Sequence, residues 1–184
     1  MEKIIDLRRS IKLVLFDVDG VLTDGTLYIG GSGEEYKPFN AKDGVAVSLL
    51  SHYGIKAGVI SGKSSPALLY RVNQLKMDVI RTGCSEKSIA LHEIAQGLGI
   101  SASEVCFVGD DIIDYHAMNE AGVSYAPNDA HPLILKCADQ VTKCAGGAGV
   151  AREVAEDILS AHGYSLHDMY SFMLKKDMFH DVTQ

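Results

Sequence analysis

A short apolar run that ends in two carboxylates constrains this chain more than any other feature. Residues 11–16 read Ile-Lys-Leu-Val-Leu-Phe and lead directly into Asp17-Val18-Asp19-Gly20-Val21-Leu22-Thr23-Asp24-Gly25. A short apolar run bounded by a turn signal is a buried strand. Side chains alternate along a strand, so Asp17 and Asp19 project to the same side while the extended geometry persists. Carboxylates at the carboxyl end of a parallel strand occupy the ligand-binding edge of an α/β sheet. Two such charges repel each other, and a metal ion or a proton has to relieve the cost. The alternative is an Asx pair that only organises a turn.

The rest of the chain decides between these. Hydrophobic runs and turn signals alternate in a βα rhythm. Further strands are predicted at 56–60, around 79–80, and at 105–108, 123–126 and 140–142. Helices are predicted over 44–53 with Asp43 as cap, and after Ser64 or Ser65 with Pro66 in the first turn. Others follow at 87–98 with Gly97 and Gly99 marking the end, from Asp111 to about 121, at 132–138, and at 150–161. Segments 26–29 and 35–39, separated by Gly30-Gly31-Ser32-Gly33, read as a β-hairpin. The fold class is therefore α/β, a doubly wound, mostly parallel sheet flanked by helices with a small hairpin cap. One domain over 1–184 is expected, with the cap at about 26–39 and a tail at about 163–184. That tail mixes Met169, Tyr170, Phe172, Met173, Met178 and Phe179 with charges, and is either a frayed extension or a segment docked on another surface.

Net charge is −7 and no long apolar stretch occurs, which argues against nucleic-acid or membrane partners. An anionic small substrate stays open, because local lysines and a metal can outweigh the global field. The four cysteines, Cys84, Cys106, Cys137 and Cys144, form no CxxC pair. They read as reduced thiols in a cytoplasmic protein.

Active-site residues collect at strand ends in such folds. The first strand end supplies Asp17 and Asp19, and the second Ser61 and Gly62. Lys87 opens the next long helix, and the 105–108 strand delivers Asp110 and Asp111, with Asp114 one turn on. Hard oxygen ligands without a histidine cluster suit Mg²⁺. A hydroxyl, backbone amides and an ammonium beside that metal suit a phosphoryl group. One carboxylate can then attack phosphorus while another protonates the leaving alkoxide and later deprotonates water.

These four segments, in this order, resemble the motifs of haloacid dehalogenase superfamily phosphatases. Gly33-Glu34-Glu35, Phe39-Asn40-Ala41-Lys42-Asp43-Gly44, Asp129-Ala130-His131-Pro132 and Gly146-Gly147-Ala148-Gly149 with Arg152-Glu153 extend the resemblance to the 3-deoxy-D-manno-octulosonate 8-phosphate phosphatase group, over about residues 12–162. The resemblance implies Asp17 as the phosphorylated nucleophile and Asp19 as the general acid/base. It implies Mg²⁺ held by the Asp17 carboxylate, the Asp19 backbone carbonyl and Asp110. Ser61, Gly62 and Lys87 would bind phosphoryl oxygens, and Asp111 and Asp114 would support metal or lysine. It further implies a phosphorylated sugar-acid substrate and a homotetramer in which the C-terminal segment reaches a neighbour's pocket. Two positions depart from the pattern. Lys63 stands where an arginine is usual and Ala148 where a basic residue is common, and neither reproduces a bidentate grip on a carboxylate. Lys63 is thus a possible substrate contact that leaves a nonulosonate 9-phosphate as the rival substrate.

Two readings from other classes are a phosphoacceptor signalling domain and an idle regulatory subunit. The acid/base residue beside the nucleophile favours turnover over a lasting phosphoryl mark. His131 is expected to pack or cap, and Gly146–Gly149 is either a flexible turn or a substrate-facing loop.

Overall fold

The computed structural model describes residues 7–175. Strand β1 (Leu13–Phe16) is wholly buried, as expected of a parallel strand covered on both faces. The hairpin strands β2 (Tyr28–Gly30) and β3 (Gly33–Tyr36) follow, paired antiparallel. Then come α1 (Ala41–His52), β4 (Lys56–Ile60), α2 (Pro66–Gln74), β5 (Val79–Arg81) and α3 (Lys87–Leu98). The second half holds β6 (Val105–Val108), α4 (Tyr115–Glu120), β7 (Val123–Ala126) and α5 (Pro132–Cys137). It ends with β8 (Gln140–Val141), α6 (Val150–Ala161) and α7 (Leu166–Leu174).

Among the described residues, six strands form one sheet in the order β5-β4-β1-β6-β7-β8, every neighbouring pair parallel. The order reverses beside β1, which opens a crevice at the carboxyl ends of β4, β1 and β6. Phe16 pairs with Val59 on one side and Val108 on the other. Asp17, Ser61 and Asp110 therefore emerge at one edge within a residue of register. Alternation along β1 sends Val14 and Phe16 into a core with α1, α2, α6 and α7. Leu13 and Leu15 face a second core with α3, α4 and α5.

Several local readings hold and some shift. Ser65 caps α2, its Oγ accepting from the Leu68 N–H at 3.3 Å, with Pro66 at the first position. The hairpin strands are shifted against the predicted 26–29 and 35–39, and the turn is the tighter Gly31-Ser32. Helix α1 begins three residues before the prediction, because Asn40 rather than Asp43 caps it, accepting from the Lys42 N–H at 3.0 Å. Asp43 serves a different helix. Its Oδ1 accepts from the Ala151 N–H at 3.0 Å, at the start of α6, where Gly149 supplies no side-chain cap.

Burial pushes the Asp43 carboxyl up to about 6, against the opposing pull of the Arg152 and Ala151 N–H groups. A folded-state value raised above that of the unfolded chain means that stability is lost as pH rises through about 6. Asp43→Asn retains the acceptor oxygen and removes the charge. Its melting temperature relative to wild type is expected to improve between pH 5 and pH 8, by on the order of 1 kcal/mol or about 3 °C. Asp43→Ala, which lacks the cap, is expected to melt lower than Asp43→Asn at both pH values. A difference between Asp43→Asn and wild type that does not vary with pH would refute the assignment.

The C-terminal segment docks on its own domain. Met169 is buried against the first core, the Tyr53 hydroxyl donates to the Asp168 carbonyl at 2.8 Å, and His52 stacks on Phe172 with centroids 3.9 Å apart. Met178 and Phe179 lie outside the described residues.

Candidate active site

The chain leaves β1 at Asp17, whose N–H still donates to the Val108 carbonyl at 2.9 Å. It turns at Gly20, where φ is +89° and a Cβ would fall 2.0 Å from Asp110 Oδ2. Glycine is required there twice over, by backbone conformation and by the close approach of the loop after β6.

Asp17 (4 % exposed), Lys87 (2 %) and Asp114 (0 %) form one buried cluster. Lys87 opens α3, and its Nζ donates to Asp17 Oδ1 at 2.7 Å and to Asp114 Oδ1 at 2.6 Å. The other Asp114 oxygen accepts from the N–H groups of Asp110 and Asp111, at 3.1 and 3.2 Å. Both oxygens of Asp114 are thus engaged in tying the lysine to the loop after β6. Asp110 Oδ1, in contrast, is buried without a hydrogen-bond partner among the described residues.

The electrostatics follow from this crowding. Burial raises the Asp17 carboxyl to about 6, with the Asp114 charge adding to it and Lys87 opposing. Burial, then the charges of Asp17 and Asp114, drive the Asp110 carboxyl to about 8, again against Lys87. Burial alone would lower the Lys87 ammonium, but Asp17 and Asp114 outweigh it and hold it above its ordinary value. The cluster lacks positive charge.

One oxygen each from Asp17, Asp110 and Asp114 lies within 4.8 Å of the others. An all-carboxylate donor set fits a hard cation such as Mg²⁺, and the unpartnered Asp110 oxygen is the atom such an ion would satisfy. Asp114, with both oxygens occupied, braces the site from behind. Ligands must lose their protons to bind, so Mg²⁺ is expected to release protons between pH 6 and 8 and to bind more tightly at pH 8. Raised carboxyl values also mean that the metal-free protein loses stability as pH rises through this window. At 100 times its Kd, Mg²⁺ is expected to raise the melting temperature by about 5–10 °C, with the larger shift at pH 8. An equal shift at pH 6 and pH 8 would count against this site.

The remaining predicted residues fall into two groups. Ser61 is buried at the end of β4, its Oγ accepting from the Lys63 N–H at 3.3 Å. Its backbone is clamped by the Arg81 carbonyl and the Cys84 N–H, at 2.9 and 3.0 Å. Gly62 is exposed on the same edge. Lys63 and Asp111 are also exposed and stand outside the carboxylate cluster. Asp111 caps the short turn Ile112–Asp114 through the Ile112 N–H at 2.7 Å.

The Asp19 carboxylate pairs with Lys37, at the foot of the hairpin. Lys37 was not singled out by its sequence, since a lysine between Tyr36 and Pro38, shortly after two glutamates, carries no local signal of burial. His131 caps α5, its Nδ1 accepting from the Leu133 N–H at 3.2 Å.

The loop at Gly146–Gly149 is neither slack nor a simple turn. The Gly147 N–H donates to the Val21 carbonyl at 2.9 Å, the Asn40 side chain donates to the Gly147 carbonyl at 2.8 Å, and Asp129 accepts from the Gly146 N–H at 2.9 Å. A Cβ on Gly146 would stand 2.1 Å from the Gly20 carbonyl oxygen. The glycines let one backbone brace another, against residues 20–24.

Comparison with known proteins converges on this geometry. The family model of haloacid dehalogenase-like hydrolases matches residues 68–154. The 3-deoxy-D-manno-octulosonate 8-phosphate phosphatase KdsC of Escherichia coli K12 is 40 % identical over 154 residues, covering 84 % of this chain and 82 % of that protein. The crystal structure of the Yersinia pestis 3-deoxy-D-manno-octulosonate 8-phosphate phosphatase superposes with a TM-score of 0.84 at 39 % identity, covering 88 % of each chain. The Moraxella catarrhalis enzyme, solved with magnesium, phosphate and KDO, gives 0.86 at 33 % identity, covering 94 % of this chain and 97 % of that one. A parallel sheet with its carboxylates gathered at the switch point, and relatives this close over most of their length, have one explanation: the chain belongs to the haloacid dehalogenase-like hydrolases, within the family of the 3-deoxy-D-manno-octulosonate 8-phosphate phosphatases.

Proposed function

We propose that this chain is a Mg²⁺-dependent phosphatase that hydrolyses 3-deoxy-D-manno-octulosonate 8-phosphate to the free sugar acid and phosphate. The observation that carries the reading is the buried Asp17–Lys87–Asp114 cluster beside the unpartnered oxygen of Asp110. The likeness to enzymes of that name over most of the chain supports the substrate.

Asp17 attacks phosphorus, forming an aspartyl phosphate as the bond to the sugar oxygen breaks. Asp19 gives its proton to that leaving oxygen, then takes one from the water that attacks the aspartyl phosphate and frees phosphate. Lys87 keeps Asp17 ionised and in place, while Ser61 and the Gly62 N–H receive phosphoryl oxygens. Asp17, the Asp19 carbonyl and Asp110 would hold Mg²⁺, which would supply the charge that lets an anion approach a carboxylate. Asp114 orients Lys87, and Asp111 shapes the turn that carries Asp114. Lys63, exposed beside Ser61, is assigned the contact with the sugar acid.

The same reading takes residues 1–184 as one domain capped by the hairpin. It assigns a homotetramer, supported by Leu27, Tyr28, Ile29 and Tyr36 standing 41, 46, 66 and 69 % exposed on that hairpin. A cytoplasmic setting agrees with four free thiols. Among the described residues no helix is long and apolar enough to cross a membrane.

Phosphate release from the octulosonate 8-phosphate, beside a nonulosonate 9-phosphate, with Mg²⁺ or EDTA, tests the function. Mg²⁺-dependent turnover favouring the eight-carbon acid is expected. Preference for the nine-carbon acid would overturn the substrate and point to Lys63 and Ala148 as the cause.

A further inference from the structure

The hairpin is too small to hold itself over the site. Its strands have three and four residues, and an isolated two-stranded hairpin is marginal in water. Its large apolar side chains face outward. The residue that returns from it toward the sheet is Lys37, directly after β3. The Lys37 side chain is only 2 % exposed and its ammonium pairs with the carboxylate of Asp19, itself 25 % exposed.

A lysine taken out of water is destabilising unless a counter-charge and good geometry compensate. Ordering its long side chain adds a loss of rotamer freedom. A contact that offsets such costs is a strong restraint on both partners. The two buried lysines divide the work by position. Lys87 serves Asp17 and Asp114, within the carboxylate cluster. Lys37 arrives from the cap and serves Asp19, two residues further along the same loop.

We propose that Lys37 is a positioning residue for phosphate transfer: its ammonium fixes the Asp19 carboxylate and supplies through it the proton that goes to the leaving oxygen, a proton returned to the pair from the water that attacks the aspartyl phosphate, so that delivery depends on the hairpin being in place. The inference rests on Asp19 acting as the acid/base in the reading above. Moving the cap then moves the acid with it, and a site whose hairpin is displaced keeps its nucleophile but loses its proton donor. The dependence should be visible only where the leaving group needs a proton. A sugar alkoxide does; p-nitrophenolate does not.

The experiment compares Lys37→Met, Lys37→Arg, Asp19→Asn and the double variant Asp19→Asn/Lys37→Met on the sugar-acid phosphate and on p-nitrophenyl phosphate. General acid catalysis contributes about 10²–10⁴-fold. Lys37→Met is expected to lose about 10–100-fold in kcat on the sugar-acid phosphate, with KM changed less than about 2-fold. On p-nitrophenyl phosphate the loss should stay below about 3-fold. Lys37→Arg should recover part of the lost kcat. The double variant should lose no more than Asp19→Asn alone, because a residue that acts through another has nothing further to remove.

Equal losses on both substrates, a rise confined to KM, or multiplicative losses in the double variant would each overturn the proposal. If Asp19→Asn itself shows no leaving-group dependence, the acid/base assignment of Asp19 falls and takes the proposal with it. If Asp19→Asn shows it and Lys37→Met does not, the proposal alone falls. Melting curves accompany each variant, and Lys37→Gln replaces Lys37→Met should the latter fail to fold.

Discussion

Replacing Asp17 by asparagine is expected to lower phosphate release by on the order of 10⁴-fold or more, with the fold intact. The amide has nearly the shape of the carboxylate, so packing is preserved, yet its oxygen is a poor nucleophile towards phosphorus. The change also removes one of the acidic groups crowded at the end of β1, where burial and the Asp114 charge already push Asp17 up to about 6. The metal-free variant is therefore expected to melt no lower than wild type above pH 6. Phosphate release, acid-quench trapping of the phosphoprotein and a thermal melt check the three parts of this result. A variant that kept a tenth of the activity would refute Asp17 as the nucleophile.

Lys87→Met is expected to damage both stability and turnover. The lysine lies between Asp17 and Asp114, at 2.7 and 2.6 Å, with all three side chains at 5 % exposure or less. Removing one member of a buried charge cluster leaves the others uncompensated, typically at a cost of about 3–5 kcal/mol. For a chain of this length that corresponds to about 10 °C. On the reading proposed above, loss of the charge that keeps Asp17 ionised and in place adds a fall of about 10²–10³-fold in kcat. The pH dependence identifies the cause. Without the ammonium the carboxyls are pushed further above their ordinary values, so the deficit is fully present where they are ionised and shrinks as pH falls and they protonate. Melts at pH 5.5 and pH 8 test this, and a deficit of the same size at both would assign the loss to packing instead.

The parts of this architecture written in local sequence were legible, and the parts made by distant contacts were not. Strand β7 and helix α6 have the bounds that their patterns predict, because buried periodicity and a preceding turn define them within a dozen residues. The Asp17–Asp19 loop, Ser61, Lys87 and Asp110 were legible for a related reason. Each sits at a strand end or helix start, and the parallel topology brings such ends together. Asp43 shows the limit. As an acidic residue before an apolar run it reads as a cap for the helix that follows, yet the N–H it satisfies lies 108 residues away. Lys37 shows it again, since only the folded chain carries a surface-type residue into a part-buried ion pair. The placement of Asp114 was expected, but its double duty toward Lys87 and two backbone N–H groups required coordinates.

The seam between Gly146–Gly147 and the backbone of residues 20–24 also sets an order of events during synthesis. A chain emerging from the ribosome presents its N-terminal end first. The loop that bears Asp17 and Asp19 is therefore made more than a hundred residues before the backbone that braces it. The flanking strands do not arrive together either, because β4 precedes β6 by nearly fifty residues. Non-local closures of this kind are slow and come late. The reactive loop thus stays unassembled while the nascent chain is short, and it gains its geometry only when the segment around Gly146–Gly147 closes behind it.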